Sequence, residues 1–147
     1  MPKILILYHS RTGNTRIMAE AIEEGIKMVH GVEVELKDRA AAEKLANFNA
    51  IVVGVPTYDH DMTRNIKKLF EEAAVKKLSL NGKVGAAFGS YGWSAEAPAL
   101  VLEIMNNRFR MDTIEPPLLI KYAPDQAGLQ KCRQFGKKIG ERLTRPT

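Results

Sequence analysis

A chain of 147 residues that is 45% hydrophobic and 27% charged has ordinary globular composition and can bury a core, which excludes disorder. Its single cysteine excludes an intramolecular disulfide, and no apolar run approaches the roughly 20 residues of a membrane span. The net charge is +5, and residues 124–147 hold much of it, with six basic side chains against two acidic.

The first element is the strand pattern Lys3–Tyr8. It leads into Ser10-Arg11-Thr12-Gly13-Asn14-Thr15 and then a helical pattern over Arg16–Val29, where Ile17, Ala21, Ile22, Ile26 and Val29 recur at helical spacing. Val32–Lys37 alternates apolar and charged residues, as an edge strand does. A short helix over Ala41–Asn47 comes next. Ala50–Val55 is a nearly all-apolar strand, followed by Pro56-Thr57-Tyr58-Asp59-His60-Asp61 and a helix over Thr63–Ala74 with Ile66, Leu69, Phe70 and Ala73 as its stripe. Lys83–Gly89 is the fourth strand, and Ser90-Tyr91-Gly92-Trp93 follows it. The fourth helix carries Leu100, Val101, Ile104 and Met105. Leu118–Tyr122 is the last strand, entered through Pro116 and Pro117, which suits a sheet edge. The last helix places Cys132, Phe135, Ile139 and Leu143 on one face, so the cysteine is expected to be a buried structural thiol.

Alternating strands and helices with short connections predict right-handed crossovers and an α/β three-layer sandwich. Five strands favour a parallel sheet of order 2-1-3-4-5 in one domain over 1–147. A ligand then belongs at the carboxyl ends of the strands, beside the switch point between the first and third. The loops after strands one, three and four should share it.

Those loops carry a consistent chemistry. A strand-to-helix turn leaves backbone N–H groups unpaired and favours an anion. Ser10, Thr12 and Thr15 add hydroxyl donors, Asn14 an amide donor, and Gly13 lets the backbone come close. Taken alone this loop also reads, less readily, as a helix cap, and Tyr58 and Trp93 alone read equally as packing. Together they describe a phosphate cradle with aromatic walls, suited to a mononucleotide with a large planar ring. Flavin mononucleotide fits better than an adenine nucleotide, because G-x-G-x-x-G and G-x-x-x-x-G-K-[ST] are both missing. Asp59-His60-Asp61 lacks a spaced second ligand cluster, so no metal site is expected. Asp61 or Thr63 is the better candidate for capping the helix that follows. His9 and His30 have no nucleophilic partner motif. The basic C-terminal segment reads as a solvated helix face or a docking surface for an acidic protein. Without interleaved aromatics it does not read as a nucleic-acid site.

On these residues the chain resembles a short-chain flavodoxin. Ser10 through Thr15 matches the [ST]-x-T-G-x-T phosphate motif of that family. Gly54-Val55-Pro56-Thr57 and Ala87-Phe88-Gly89-Ser90-Tyr91-Gly92-Trp93-Ser94 are similar to the flavin loops of A-type flavoproteins, the flavo-diiron proteins. The resemblance implies FMN as cofactor, with its phosphate on Ser10, Arg11, Thr12, Gly13, Asn14 and Thr15. Pro56, Thr57, Tyr58 and Asp59 would border the ring, and Ser90, Tyr91, Gly92 and Trp93 would lie opposite. It implies an electron carrier with no catalytic residue, working with redox partner proteins in the cytoplasm as a monomer or weak homodimer. The alternative is a small FMN-dependent NAD(P)H:quinone-type reductase. The diiron half of the A-type proteins is absent from this chain. Many flavodoxins are acidic, whereas this sequence has a pI near 9.4. Many also have a glycine in the loop after strand three, whose peptide reorients on flavin reduction. Tyr58-Asp59-His60-Asp61 has none, which implies weaker stabilisation of one-electron-reduced flavin.

Overall fold

A computed structural model describes residues 1–57 and 61–145. Tyr58, Asp59 and His60 of the second ligand loop lie outside the described residues. The strands are β1 (Lys3–Tyr8), β2 (Glu33–Lys37), β3 (Ala50–Gly54), β4 (Val84–Tyr91), β5 (Asp112–Thr113) and β6 (Leu118–Lys121). The α-helices are α1 (Asn14–Lys27), α2 (Arg64–Val75), α3 (Glu96–Glu103) and α4 (Gln126–Thr144).

All pairings are parallel, and the sheet runs β2-β1-β3-β4-β5, with β6 also on β4. The fifth strand of the expected order is therefore two segments. Asp112–Thr113 pairs with Val84 and Gly85, and Leu118–Lys121 pairs with Phe88–Tyr91 further along the same edge. Pro116 and Pro117 lie between them, and a proline has no N–H to give to a ladder. The short second helix is a 3-10 segment, Ala42–Asn47, and α3 runs on into a π-helical turn over Ile104–Arg108.

Each face of the sheet has its own core. Leu5, Leu7, Ile51 and Val53 pack with Ile66, Phe70, Val101 and Met105 beneath α2 and α3. Ile4, Ile6, Val52 and Phe88 pack with Met18, Ile22, Cys132 and Ile139 beneath α1 and α4. Strands buried on both faces read as unbroken apolar runs, which is why β1 and β3 were legible. The edge strand β2 alternates exposed and half-buried residues as its sequence does.

Helices α1 and α4 touch backbone to backbone. A Cβ on Gly25 would lie 1.9 Å from the Arg133 carbonyl oxygen, and one on Gly136 would lie 2.0 Å from that of Ile22. This contact sets α1 on the sheet, and the N-terminus of α1 is where the hydroxyl-rich loop ends.

Candidate functional site

Strand order places the ends of β1, β3 and β4 side by side, and the ladder continues past them into the loops. His9 N–H donates to the Gly54 carbonyl at 2.9 Å, and Val55 N–H donates to that of Phe88 at 3.0 Å. The three loops are thereby held as neighbours by backbone bonds.

In the first loop, Gly13 is the N-cap of α1 with φ 93° and no side-chain cap bond. A Cβ there would meet nothing within 4 Å, so glycine is demanded by backbone conformation rather than by space. Ser10 organises the turn: its Oγ accepts from Gly13 N–H at 3.1 Å and from Arg16 N–H at 3.3 Å. The first intrahelical bond runs from Ile17 N–H to the Gly13 carbonyl, so Asn14 and Thr15 N–H precede the ladder. Thr15 is buried, Gly13 and Asn14 are half-buried, and Arg11 and Thr12 are exposed. Ser10 thus shapes the turn through its side-chain oxygen.

The second loop is tied to the third through Thr57, whose Oγ1 accepts from Ala97 N–H at 2.9 Å in the first turn of α3. This caps a helix whose own N-cap, Ala95, makes no side-chain bond. In the third loop, Ser90 is buried and its hydroxyl donates to the Tyr122 carbonyl at 2.8 Å. Tyr122 N–H in turn donates to the Tyr91 carbonyl at 2.8 Å. Trp93 is 85% exposed, so it does not form a buried wall.

A cavity of about 210 Å³ gathers these segments. Arg11, Thr12, Asn14 and Thr15 line it from the first loop, Pro56 and Thr57 from the second, and Ser90, Tyr91 and Gly92 from the third. Tyr122 lines it too. That residue lies just past β6 with φ 59° and is 62% exposed. The sequence pattern absorbed it into the last apolar run; the only local signal was its aromatic ring at a strand end on the ligand side of the sheet. Ser10, Gly13 and Trp93 do not line this cavity; Ser10 and Gly13 line a neighbouring concavity on the other side of the first loop.

Asp61 does not cap α2. Its Oδ1 accepts from Met62 N–H at 2.8 Å and its Oδ2 meets Lys67 Nζ at 2.5 Å. The Lys67 bond first, and then the Met62 N–H, hold its carboxyl below the usual value. The N-cap of α2 is Thr63, which among the described residues makes no side-chain cap bond and finds no hydrogen-bond partner for its buried Oγ1. Cys132 is fully buried, and desolvation pushes its thiol up to about 11. Among the described residues, no three His, Cys, Asp or Glu side chains gather to hold a metal, and no helix is long and apolar enough to cross a membrane.

A hydroxyl-rich turn at a helix N-terminus, with aromatic residues on two neighbouring strand ends, sits where domains of the doubly wound class bind their ligands. The flavodoxin family model matches residues 6–136 of the chain. The chain therefore belongs to the flavodoxin family, and its cofactor is FMN. A type A flavoprotein, fprA, of Rhodobacter capsulatus is 37% identical over 96% of this chain, which covers 33% of that protein. A flavodoxin of Aquifex aeolicus is 29% identical, with 96% of this chain and 86% of that one matched. The solved structure of a flavodoxin from the domain Archaea superposes with a TM-score of 0.88 at 36% identity, covering 97% of this chain and 99% of that one. The chain spans about a third of the length of the type A flavoproteins it matches.

Proposed function

We propose that the loop Ser10–Thr15 holds the phosphate of FMN, and that Pro56 and Thr57 face Ser90, Tyr91, Gly92 and Trp93 across the ring. Tyr58 and Asp59 belong to the same proposal from sequence alone. The supporting observation is the cavity that the three loops share with Tyr122. Its donor set fits the group: hydroxyls of Thr12 and Thr15, the Asn14 amide and the first N–H groups of α1 are all suited to a phosphate monoester.

Bound FMN supplies the electron chemistry, and the residues described here bind and orient it. Thr57 and Ser90 are already engaged with Ala97 and Tyr122, so the ring-side loops are braced before ligand arrives. Asp61 carries a charge that Lys67 offsets, which removes one source of negative potential near the site. We read the chain as a single-domain electron carrier that works with separate redox partner proteins in the cytoplasm, as a monomer or weak homodimer.

Steady-state assays with NADH or NADPH and a quinone test the carrier reading. The FMN-loaded protein should show no turnover beyond the rate of free FMN until a separate reductase is added. Sustained turnover by the protein alone would make it a reductase.

A further inference from the structure

The cavity shared by the three loops holds about 210 Å³, below the roughly 300–1,000 Å³ of small-molecule sites. A mononucleotide therefore extends past it onto the side chains at its mouth. Among the described residues, the aromatic residues on this cavity are Tyr91 and Tyr122. Tyr91 is the last residue of β4 and is half-buried. Tyr122 is 62% exposed, so its side chain has surface to offer a ligand.

The backbone of Tyr122 is unusual for such a residue. Its φ of 59° is left-handed, which a bulky L side chain adopts only under constraint. Among the described residues, the other non-glycine positions with positive φ are Lys77 and Arg110. Both follow helical segments, and their N–H groups donate to the Ala74 and Asn106 carbonyls, the ordinary way for a left-handed residue to close a helix. Tyr122 instead follows a strand, on the side of the sheet where ligands of doubly wound domains bind. Left-handed non-glycine residues cluster at ligand clamps, where the surrounding structure enforces them. Here β4 does so with two bonds. The Tyr122 carbonyl accepts from the Ser90 hydroxyl, and its N–H donates to the Tyr91 carbonyl, each at 2.8 Å.

The ring itself is placed by its neighbours. Lys121 Nζ lies 5.4 Å from the ring centroid, a distance at which a cation steadies an aromatic face. A Cβ added at Gly92 would lie 3.9 Å from Tyr122 Cε1, so the ring edge stands beside a glycine that lines the same cavity. A fixed backbone with an exposed ring is a preorganised contact, and it loses little freedom when a ligand meets it.

We propose that Tyr122 is a flavin-binding residue, whose ring forms an aromatic wall for the isoalloxazine at the mouth of the cavity. The proposal rests on the FMN reading and extends the site from three loops to a fourth strand end.

The test is fluorescence titration of the flavin-free protein with FMN and with riboflavin, paired with urea unfolding. Tyr122→Ala should weaken both flavins by the same factor, at least about fivefold, because the lost contact is to the ring they share. Tyr122→Phe keeps the ring and should stay within about twofold of the wild type. Tyr122→Gly separates binding from packing, since glycine adopts a positive φ without strain. It should lose flavin affinity as Tyr122→Ala does. Its flavin-free form should nevertheless unfold at a urea concentration no lower than the wild type, because strain relief outweighs the extra freedom of the unfolded chain. Loss of affinity together with a lowered urea midpoint in Tyr122→Gly would mean that the ring only packs the fold, and overturns the proposal. A loss confined to FMN would put Tyr122 on the phosphate and overturns the ring assignment. Wild-type protein that binds both flavins, with Tyr122→Ala binding them as tightly, sinks the role of Tyr122 and leaves the FMN reading standing. Wild-type protein that binds neither flavin sinks both.

Discussion

Ser10 and Thr57 show how much of this site depends on residues with two tasks. Each oxygen accepts backbone N–H bonds that shape a loop, Ser10 within its own turn and Thr57 across to α3. The residue types were legible in the sequence because hydroxyls at a strand-to-helix turn have a direct physical reading. The Thr57–Ala97 bond was not legible, since it joins residues 40 apart that only the sheet brings together. Nor was the exposure of Trp93, which depends on what covers it. Cys132 gives a prediction at this scale. Burial raises its thiol from 9.0 to about 11, so the folded state favours the neutral thiol. Stability from this group is complete below the unfolded value and is lost as pH rises through about 11. At pH 8 the thiolate fraction is lower by about a hundredfold than in the unfolded chain. A chromogenic disulfide reagent should therefore react with the native protein at least that much more slowly than with protein in denaturant. Equal rates would mean that the face carrying Cys132 opens readily.

The elements follow their patterns where a pattern is long enough to speak. The apolar runs of β1 and β3 and the stripes of α1 and α2 match their sequence periods within two residues at the ends. The last run, Leu118–Tyr122, is β6 to within one residue, whereas Asp112–Thr113 gave no signal, because β5 has only two residues and prolines separate it from β6. A period needs several residues, and a strand made by its neighbour's register leaves no such signal. The contact between α1 and α4 carries a prediction in which two effects oppose each other. Helix propensity favours alanine over glycine by about 1 kcal/mol. At Gly136 the added Cβ would fall 2.0 Å from the Ile22 carbonyl oxygen, so the helices must separate. Over-packing costs about 1–3 kcal/mol or more and prevails. Gly136→Ala should lower unfolding free energy by about 2 kcal/mol in a urea titration, and an increase would show that α4 slides freely on α1.

At the scale of the molecule, the basic C-terminal segment is partly tied down. Arg133 bonds Glu24 at 2.8 Å, and Arg142 reaches both Asp112 oxygens at 2.8 Å. These residues join α4 to α1 and to β5, while Lys131, Lys137 and Lys138 are exposed or nearly so. The sequence shows the charge, but which charges are spent within the fold follows from packing across 30 residues or more. A ligand bridging three loops must also stabilise the whole. FMN at about 100 times its dissociation constant should add about 2.7 kcal/mol to unfolding free energy. A melting temperature that does not rise with FMN concentration would contradict a site shared by those loops. Riboflavin is FMN without the phosphate that the turn at the end of β1 is proposed to hold. The most direct test is therefore to measure both affinities for Thr12→Ala and Asn14→Ala. FMN should lose at least about tenfold in affinity and riboflavin should change little, since hydrogen bonds to charged groups contribute about 1.5–3 kcal/mol. Equal losses for the two ligands would contradict the phosphate assignment.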